Sequence, residues 1–299
     1  LYLVNHYLGV YHNGYGGLDN NGAGLMLAMG IPMCWFIYEG TRKWWRWAFV
    51  AMIPVILHAV LMTYSRGAMV SLLAVCPVLL LRSRQRMRLG IAGAVVGLVL
   101  LPVLVGPQIK ARFMTLEKTE ADASANSRQE SWKAAVRMVC DYPVFGVGIR
   151  NANLFSHQYG ADYEGRTIHS NYLQIAADNG FIGLALFLTA LGGCWLSIRR
   201  VRRFVAGRDD PEALRLYATA CGVECALAVF CIGSLFLSLE VFELPYLLLL
   251  LGAQLAVVSG ALGKGQRQDG CVPPPSAGLH PCDLEFVGSP CEHTEHAPH

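Results

Sequence analysis

The sequence predicts an all-α fold, a polytopic membrane helical bundle, and three observations predict it. Apolar residues make up 54% of the 299 residues and charged residues only 15%, against roughly 25% charged in ordinary globular chains. The apolar residues gather into runs close to the length of about 20 that crosses a bilayer. The charges gather in the short links between those runs. Such a composition excludes a disordered chain, a collagen-like chain, a small disulfide scaffold and a large soluble enzyme. The net charge of +3, from 24 Lys and Arg against 21 Asp and Glu, is too small to point to nucleic acid as a partner.

Seven apolar stretches run approximately over 22–38, 48–64, 67–81, 89–107, 179–198, 216–237 and 244–262. In lipid only helices and closed barrels satisfy their own backbone hydrogen bonds. The strict apolar–polar alternation of barrel strands is absent, so all seven are expected to be helices. The chain starts at Leu1 with no cleavable signal pattern before the first run, and further spans are expected upstream. Four parts follow from this reading. Residues 1–107 carry four spans, 108–178 form one large loop, 179–262 carry three spans, and 263–299 form a disordered tail.

The links sort by charge. Arg42, Lys43 and Arg46 separate the first two spans, and Arg82, Arg84, Arg86 and Arg88 separate the third and fourth. Arg199, Arg200, Arg202, Arg203 and Arg208 follow the fifth. Excess Lys and Arg marks cytoplasmic loops, which puts these links and the tail inside and the alternate links outside. The large loop then lies outside, with eight basic and eight acidic residues. Long loops are uncommon unless functional. Most cysteines, such as Cys34, Cys76, Cys194, Cys221, Cys225 and Cys231, fall in apolar runs where cysteine acts as a small hydrophobe. Cys271, Cys282 and Cys291 stand near His280, His293, His296 and His299 in the tail, at spacings that match no zinc pattern. No cofactor is indicated, because GxxxxGK[ST], HExxH and GxSxG are all missing.

Four residues stand out. Arg66 lies in the very short link Tyr64-Ser65-Arg66-Gly67, and an arginine at membrane depth is a functional-site hypothesis. A side chain snorkelling to the interface is the competing reading. In the large loop, Ser127-Arg128-Gln129-Glu130 fits a capping box with Ser127 as N-cap. Trp132, Ala135, Val136 and Val139 then recur at helical spacing until Pro143. Arg128 shares that inward stripe and is expected in the helix's first turn, where free N–H groups favour an anion. An ordinary solvated charge is the alternative. Gly146-Val147-Gly148 reads as turn chemistry, with Arg150 beside it as a reserve anion-binding residue. His169 is expected to open a short helix through Gln174 that ends near Gly180. The helix dipole there opposes the imidazolium, and a neutral imidazole serves as a general base. His157 is a rival in a less distinctive setting.

Together these stretches resemble the O-antigen ligase and O-antigen polymerase superfamily of bacterial membrane glycosyltransferases. The matching pieces are Ser65-Arg66-Gly67, Ser127-Arg128 with Trp132 and Ala135, and Asp141 through Gly148. His169-Ser170-Asn171-Tyr172-Leu173-Gln174 and Asn179-Gly180-Phe181-Ile182-Gly183-Leu184 complete them. The opening Gly16-Gly17-Leu18-Asp19-Asn20-Asn21-Gly22 resembles the exosortase-associated O-glycosylation ligase branch. The resemblance implies transfer of a glycan from an undecaprenyl-pyrophosphate carrier to an acceptor hydroxyl at the periplasmic face of the bacterial inner membrane. The acceptor would be lipid A core, a protein or a glycan. It implies inverting, metal-independent chemistry, with Arg66 and Arg128 on the pyrophosphate and His169 as base. A polymerase that extends a lipid-linked glycan is the nearest alternative. A secondary transporter would need interrupted helices or polar residues near the midplane, and a non-catalytic partner of an export complex is a further alternative.

The charge pattern generates a direct test. In a cysteine-free background, single cysteines at Ala123 and Ser276 should react with impermeant reagents from opposite sides of the membrane. Labelling from one side would overturn the topology.

Overall fold

The computed structural model describes residues 19–88, 90–91, 93, 120–161, 167–208, 210–239 and 243–269. Its long elements are α1 (Asn20–Gly40), α2 (Arg46–Met62), α3 (Arg66–Arg82), α4 (Glu120–Asp141), α6 (Asn171–Val205), α7 (Pro211–Gly233) and α8 (Leu244–Asp269). A short α5 (Ala152–Phe155) leads into a 3-10 turn at Ser156–Tyr159. Among the described residues there is no strand, so the all-α reading stands. Residues up to Gly260 form one compact unit. A second begins at Ala261, and its described part is the end of α8.

Among the described residues, three helices, α1, α6 and α7, are long and apolar enough to cross a membrane. The apolar α2 and the Leu244–Gly260 part of α8 are shorter. The 17 residues of α2 rise roughly 25 Å, just under a hydrocarbon core of about 30 Å. The expected fourth span, 89–107, lies almost wholly outside the described residues. Local chemistry sets the boundaries. Asp19 Oδ1 accepts from Gly22 N at 2.7 Å to start α1, which accounts for the described part of the Gly16–Gly22 stretch. Asp210 caps α7 through Ala213 N at 2.7 Å, with Pro211 at its first position.

Several boundaries differ from expectation. α4 begins at Glu120, so Ser127 and Arg128 lie within the helix and Ser127 is not its N-cap. The stretch Glu120 to Asn126 contains three alanines and no breaker, so nothing stops the helix from extending upstream. Arg199, Arg200, Arg202 and Arg203 sit on the last turns of α6, where cations suit the helix C-terminus. α8 continues to Asp269, past the expected start of the tail, and the rest of the tail lies outside the described residues.

α7 is the central helix. It packs on α1, α3 and α6 and buries an unbroken run from Ala220 to Phe230. Small residues let α1 come close. A Cβ on Gly222 would lie 3.2 Å from Met33 Sδ, and one on Gly40 would lie 2.7 Å from Ala218 Cβ. This is the close-packing logic of helices that gain little from hydrophobicity in lipid. Chain direction then gives the bundle two ends. One collects Thr63–Gly67, Ile168–Asn171 and Ser234–Ser238. The other collects Glu39–Arg46, Arg82–Gln85 and Arg208–Arg215, joined by Gln85 N donating to Glu39 Oε1 at 2.9 Å and Arg84 Nη2 to Arg208 O at 3.5 Å.

Near that basic end, within α7, lies a carboxylate that the apolar pattern concealed. Glu224 is fully buried, with Arg82 Nε of α3 at 3.1 Å and Arg202 Nε of α6 at 3.2 Å. Two guanidiniums for one carboxylate make the glutamate the shared partner. Glu224→Gln strands both arginines and should destabilise the bundle by about 3–5 kcal/mol. Arg82→Gln leaves one pair intact and should do less. Thermal unfolding in detergent measures the order, and equal effects would contradict the shared role.

Candidate functional site

The residues singled out from the sequence fall on three segments at the non-basic end. Arg66 is the first residue of α3, behind the N-cap Ser65, whose Oγ accepts from Ala68 N at 3.3 Å. The turn before it is tightly made. Tyr64 has φ 52°, Thr63 Oγ1 donates to Val60 O at 2.6 Å, and Ser65 N donates to Thr63 Oγ1 at 3.2 Å. It seats on α1 at Gly24, where a Cβ would come within 2.6 Å of Thr63 Oγ1. Arg66 is exposed. A guanidinium at a helix N-terminus, the setting expected for Arg128, therefore belongs to Arg66.

His169 precedes the N-cap Ser170 of α6 and does not open the helix. Its φ of 57° turns the chain so that two backbone donors face the end of α7. His169 N donates to Ser238 Oγ at 2.9 Å, and Asn171 N to Ser234 O at 2.8 Å. Ser234 is the C-cap of α7, so a free N–H at one helix start meets a carbonyl at another helix end. Tyr172 OH adds a bond to Cys231 O at 2.9 Å. The same 234–238 turn reaches α3, since a Cβ on Gly67 would touch Leu237 and Phe236 at 3.5 Å. Arg66 and His169 thus flank one turn.

Arg128 joins them through Ser131, whose Oγ lies 2.8 Å from Arg128 O and 3.1 Å from Ile168 O. Ser131 is fully buried, with Ala134, Ala135, Met138 and Val139 on the same face of α4. These pack with Ala152, Ala161, Ile168, Ala176 and Ala177 into a small core of the loop's own. Arg128 lies one turn before Ser131 on that face, as the stripe predicted, and is half-buried. Val136, expected on the stripe, is exposed, and Met138 takes its place. A four-residue offset from Trp132 misses the true centre of the face by about one position, or 100°.

A backbone clasp fixes this loop to α6. Gly180 breaks α6 with φ 66° and ψ −170°, leaving carbonyls and N–H groups that 143–148 satisfies. Phe181 N donates to Pro143 O at 2.8 Å, Val147 N to Ala177 O at 2.9 Å and Gly148 N to Asp178 O at 2.9 Å. Gly146, at φ 68°, abuts the Ala177 and Asp178 carbonyls so closely that a Cβ would collide with them. Buried Asp178 accepts from Ala152 N at 2.8 Å and Gln174 Nε2 at 2.9 Å. The glycines thus serve a turn, as read. Arg150, at φ 62° and exposed, belongs to the clasp. It is held near the far end of the helical segment that starts beside His169, about 10 Å along the axis. His157 closes its own turn, with Nδ1 3.2 Å from Ala161 O.

Sequence reasoning passed over Ser131, Ser234, Ser238 and Asp178, which tie the segments together. Only the spacing of Ser131 from Arg128 carried a signal. Among the described residues, no group of three or more His, Cys, Asp or Glu is placed to hold a metal ion. The clasp has a direct test. Gly180→Ala places a methyl against the Val144 backbone in a left-handed conformation, whereas Gly207, at φ 82°, has open space around it. Gly207→Ala should show backbone strain alone, about 1–3 kcal/mol. Gly180→Ala should lose more stability in detergent and admit protease between 143 and 150. Equal losses would mean that the close approach is not needed.

No curated protein matches the chain. A family model described as O-antigen ligase matches residues 51–188. The match takes in Arg66, Arg128, Arg150, His169 and both halves of the clasp, and stops short of α7. Over residues 51–188 the chain is similar to the O-antigen ligase family.

Proposed function

We propose that the protein is a glycosyltransferase that moves a glycan from an undecaprenyl-pyrophosphate carrier to an acceptor hydroxyl at the periplasmic face of the bacterial inner membrane. The family supports the general part of this reading: a ligase- or polymerase-like membrane enzyme acting on a lipid-linked glycan. The carrying observation is the convergence of Arg66, Arg128 and His169 on one end of the bundle through Ser131 and the 234–238 turn. The basic links crowd the other end, and the positive-inside tendency then favours an external site. Lipid A core, protein and glycan hydroxyls are the acceptor classes. Gly16–Gly22 favours the exosortase-associated branch.

In this mechanism Arg66 and Arg128 grip the pyrophosphate, and His169 takes the proton from the acceptor hydroxyl. The acceptor oxygen bonds to the anomeric carbon as the bond from that carbon to the phosphate oxygen breaks. The electron pair leaves with undecaprenyl pyrophosphate, and attack from the opposite face inverts the centre. Planar, bidentate guanidiniums suit the developing charge. Arg150 stays in reserve as an anion-binding residue and is given no step in this mechanism.

Incubating the protein with a lipid-linked glycan and each acceptor class should release undecaprenyl pyrophosphate and yield glycosylated acceptor. Arg66→Lys and Arg128→Lys keep the charge but lose the fork, and should each lower transfer roughly 10²-fold, with Arg150→Lys far milder. His169→Ala should bind donor nearly normally while turnover falls about 10²–10⁴-fold. Loss of donor binding in His169→Ala, or undiminished turnover, would remove His169 as base.

A further inference from the structure

At the basic end, away from the residues assigned to catalysis, a cavity of about 480 Å³ opens between the C-terminal end of α1 and the start of α7. This lies in the range of roughly 300–1,000 Å³ typical of small-molecule sites. Gly40, Thr41, Arg42, Lys43 and Trp45 line it on one side, and Pro211, Leu214 and Arg215 on the other. Its base is the close approach of the two helices, where a Cβ on Gly40 would lie 3.4 Å from Arg215 Cα.

The lining combines two chemistries. Arg42, Lys43 and Arg215 bring three cations, and no carboxylate is among the lining residues. Three carboxylates flank the lining residues in sequence and two are engaged: Glu39 accepts from Ser83 and Gln85, Asp210 caps α7 through Ala213 N, and Glu212 is on the exposed first turn of α7. Arg215 Nε donates to the Pro211 carbonyl at 3.3 Å. That single bond fixes the guanidinium while its Nη groups carry four further donors. Arg46 differs, with its guanidinium carbon 5.4 Å from the centroids of both Tyr38 and Trp47. Beside the cations stand exposed aromatic rings: Trp44 at 86%, Trp47 at 55% and Trp45 at 39% exposure. Exposed tryptophans next to apolar spans mark the depth of lipid headgroups. Basic pockets between spans at that depth bind anionic headgroups.

We propose that this cavity binds the headgroup of an anionic phospholipid. Its phosphate sits among Arg42, Lys43 and Arg215, and its acyl chains run along the apolar surface beside Trp45. The combination favours a lipid over a soluble anion, because the cations share the site with the aromatic belt and the apolar Leu214. The inference does not depend on the catalytic assignment.

Native mass spectrometry of the full chain in detergent, titrated with phosphatidylglycerol or phosphatidylcholine, tests it. Phosphatidylglycerol should bind and phosphatidylcholine should bind far more weakly. The triple variant Arg42→Gln, Lys43→Gln, Arg215→Gln should weaken phosphatidylglycerol by about fivefold per cation, roughly 100-fold in all. A control triple, Arg199→Gln, Arg200→Gln, Arg203→Gln, removes equal charge at the same end outside the cavity and should change affinity little. Circular dichroism and unfolding temperature establish that both variants fold. Equal weakening by the two triples would reduce the effect to general basicity and overturn the site. Displacement of the lipid by inorganic phosphate at equal concentration would overturn the lipid assignment in favour of a soluble anion.

Discussion

Unpaired backbone groups at helix ends dictate how this bundle is put together. In apolar surroundings each unmet N–H or C=O costs several kcal/mol, and every helix start and end leaves such groups exposed. Here the ends meet one another. The first N–H of α6 meets the last turn of α7 at Ser234, and the break at Gly180 is filled by the chain from Pro143 to Gly148. These bonds join main chain to main chain, so they hold segments at fixed distances whatever the side chains do. His169 lies two residues from the first of these junctions, while Arg128 reaches the same end through the Ser131 hydroxyl and Arg66 through the packing of Gly67 on the 234–238 turn. That is why residues far apart in the chain share one end of the molecule.

The same economy governs charge at the opposite end. Glu224 is buried among three helices with two arginines, an arrangement that weakly favours stability by itself because desolvation offsets attraction. Its geometric consequence is stronger. A slide of any one helix by a turn, about 5.4 Å, would separate guanidinium from carboxylate and leave an unpaired charge in an apolar interior. The triad therefore fixes the relative depth of α3, α6 and α7, and with it the level at which Arg66 and the 234–238 turn meet. Glu39 has a related role, accepting from Ser83 and from the backbone of Gln85 to hold the α3 end against α1.

The sequence made the helical class, the sorting of charge and the glycine turn legible, because composition and local spacing encode them directly. It showed the face of α4 only approximately. Helical periodicity places Ala135 and Val139 well, but it cannot separate Val136 from Met138 when both are apolar. The start of α4 was misread because Ser127 and Glu130 satisfy a capping pattern without being at an end. A capping box describes a possible N-terminus, and only the residues upstream decide whether one is there. Glu224 and Ser238 were invisible for a different reason. A single polar residue in an apolar run has meaning only through partners such as Arg82, Arg202 or the N–H of His169, which lie far away in the chain.

Moving the helix start from Arg128 to upstream residues changes the electrostatics of the proposed chemistry. α3 and α6 both begin at the site end, and each helix start carries roughly half a positive charge. Arg66 adds its guanidinium to the first of these, while Arg128, in mid-helix, contributes charge without a dipole. The proposed donor, a diphosphate, is most negative as it departs, and the positive start of α3 would then act on it most strongly. The start of α6 lies beside His169, but its first N–H is met by the Ser234 carbonyl at the C-terminal end of α7, so two helix ends of opposite sign offset each other there. In the proposed transfer the proton would reach His169 as negative charge develops on the leaving group, so each charge would appear when the other can stabilise it.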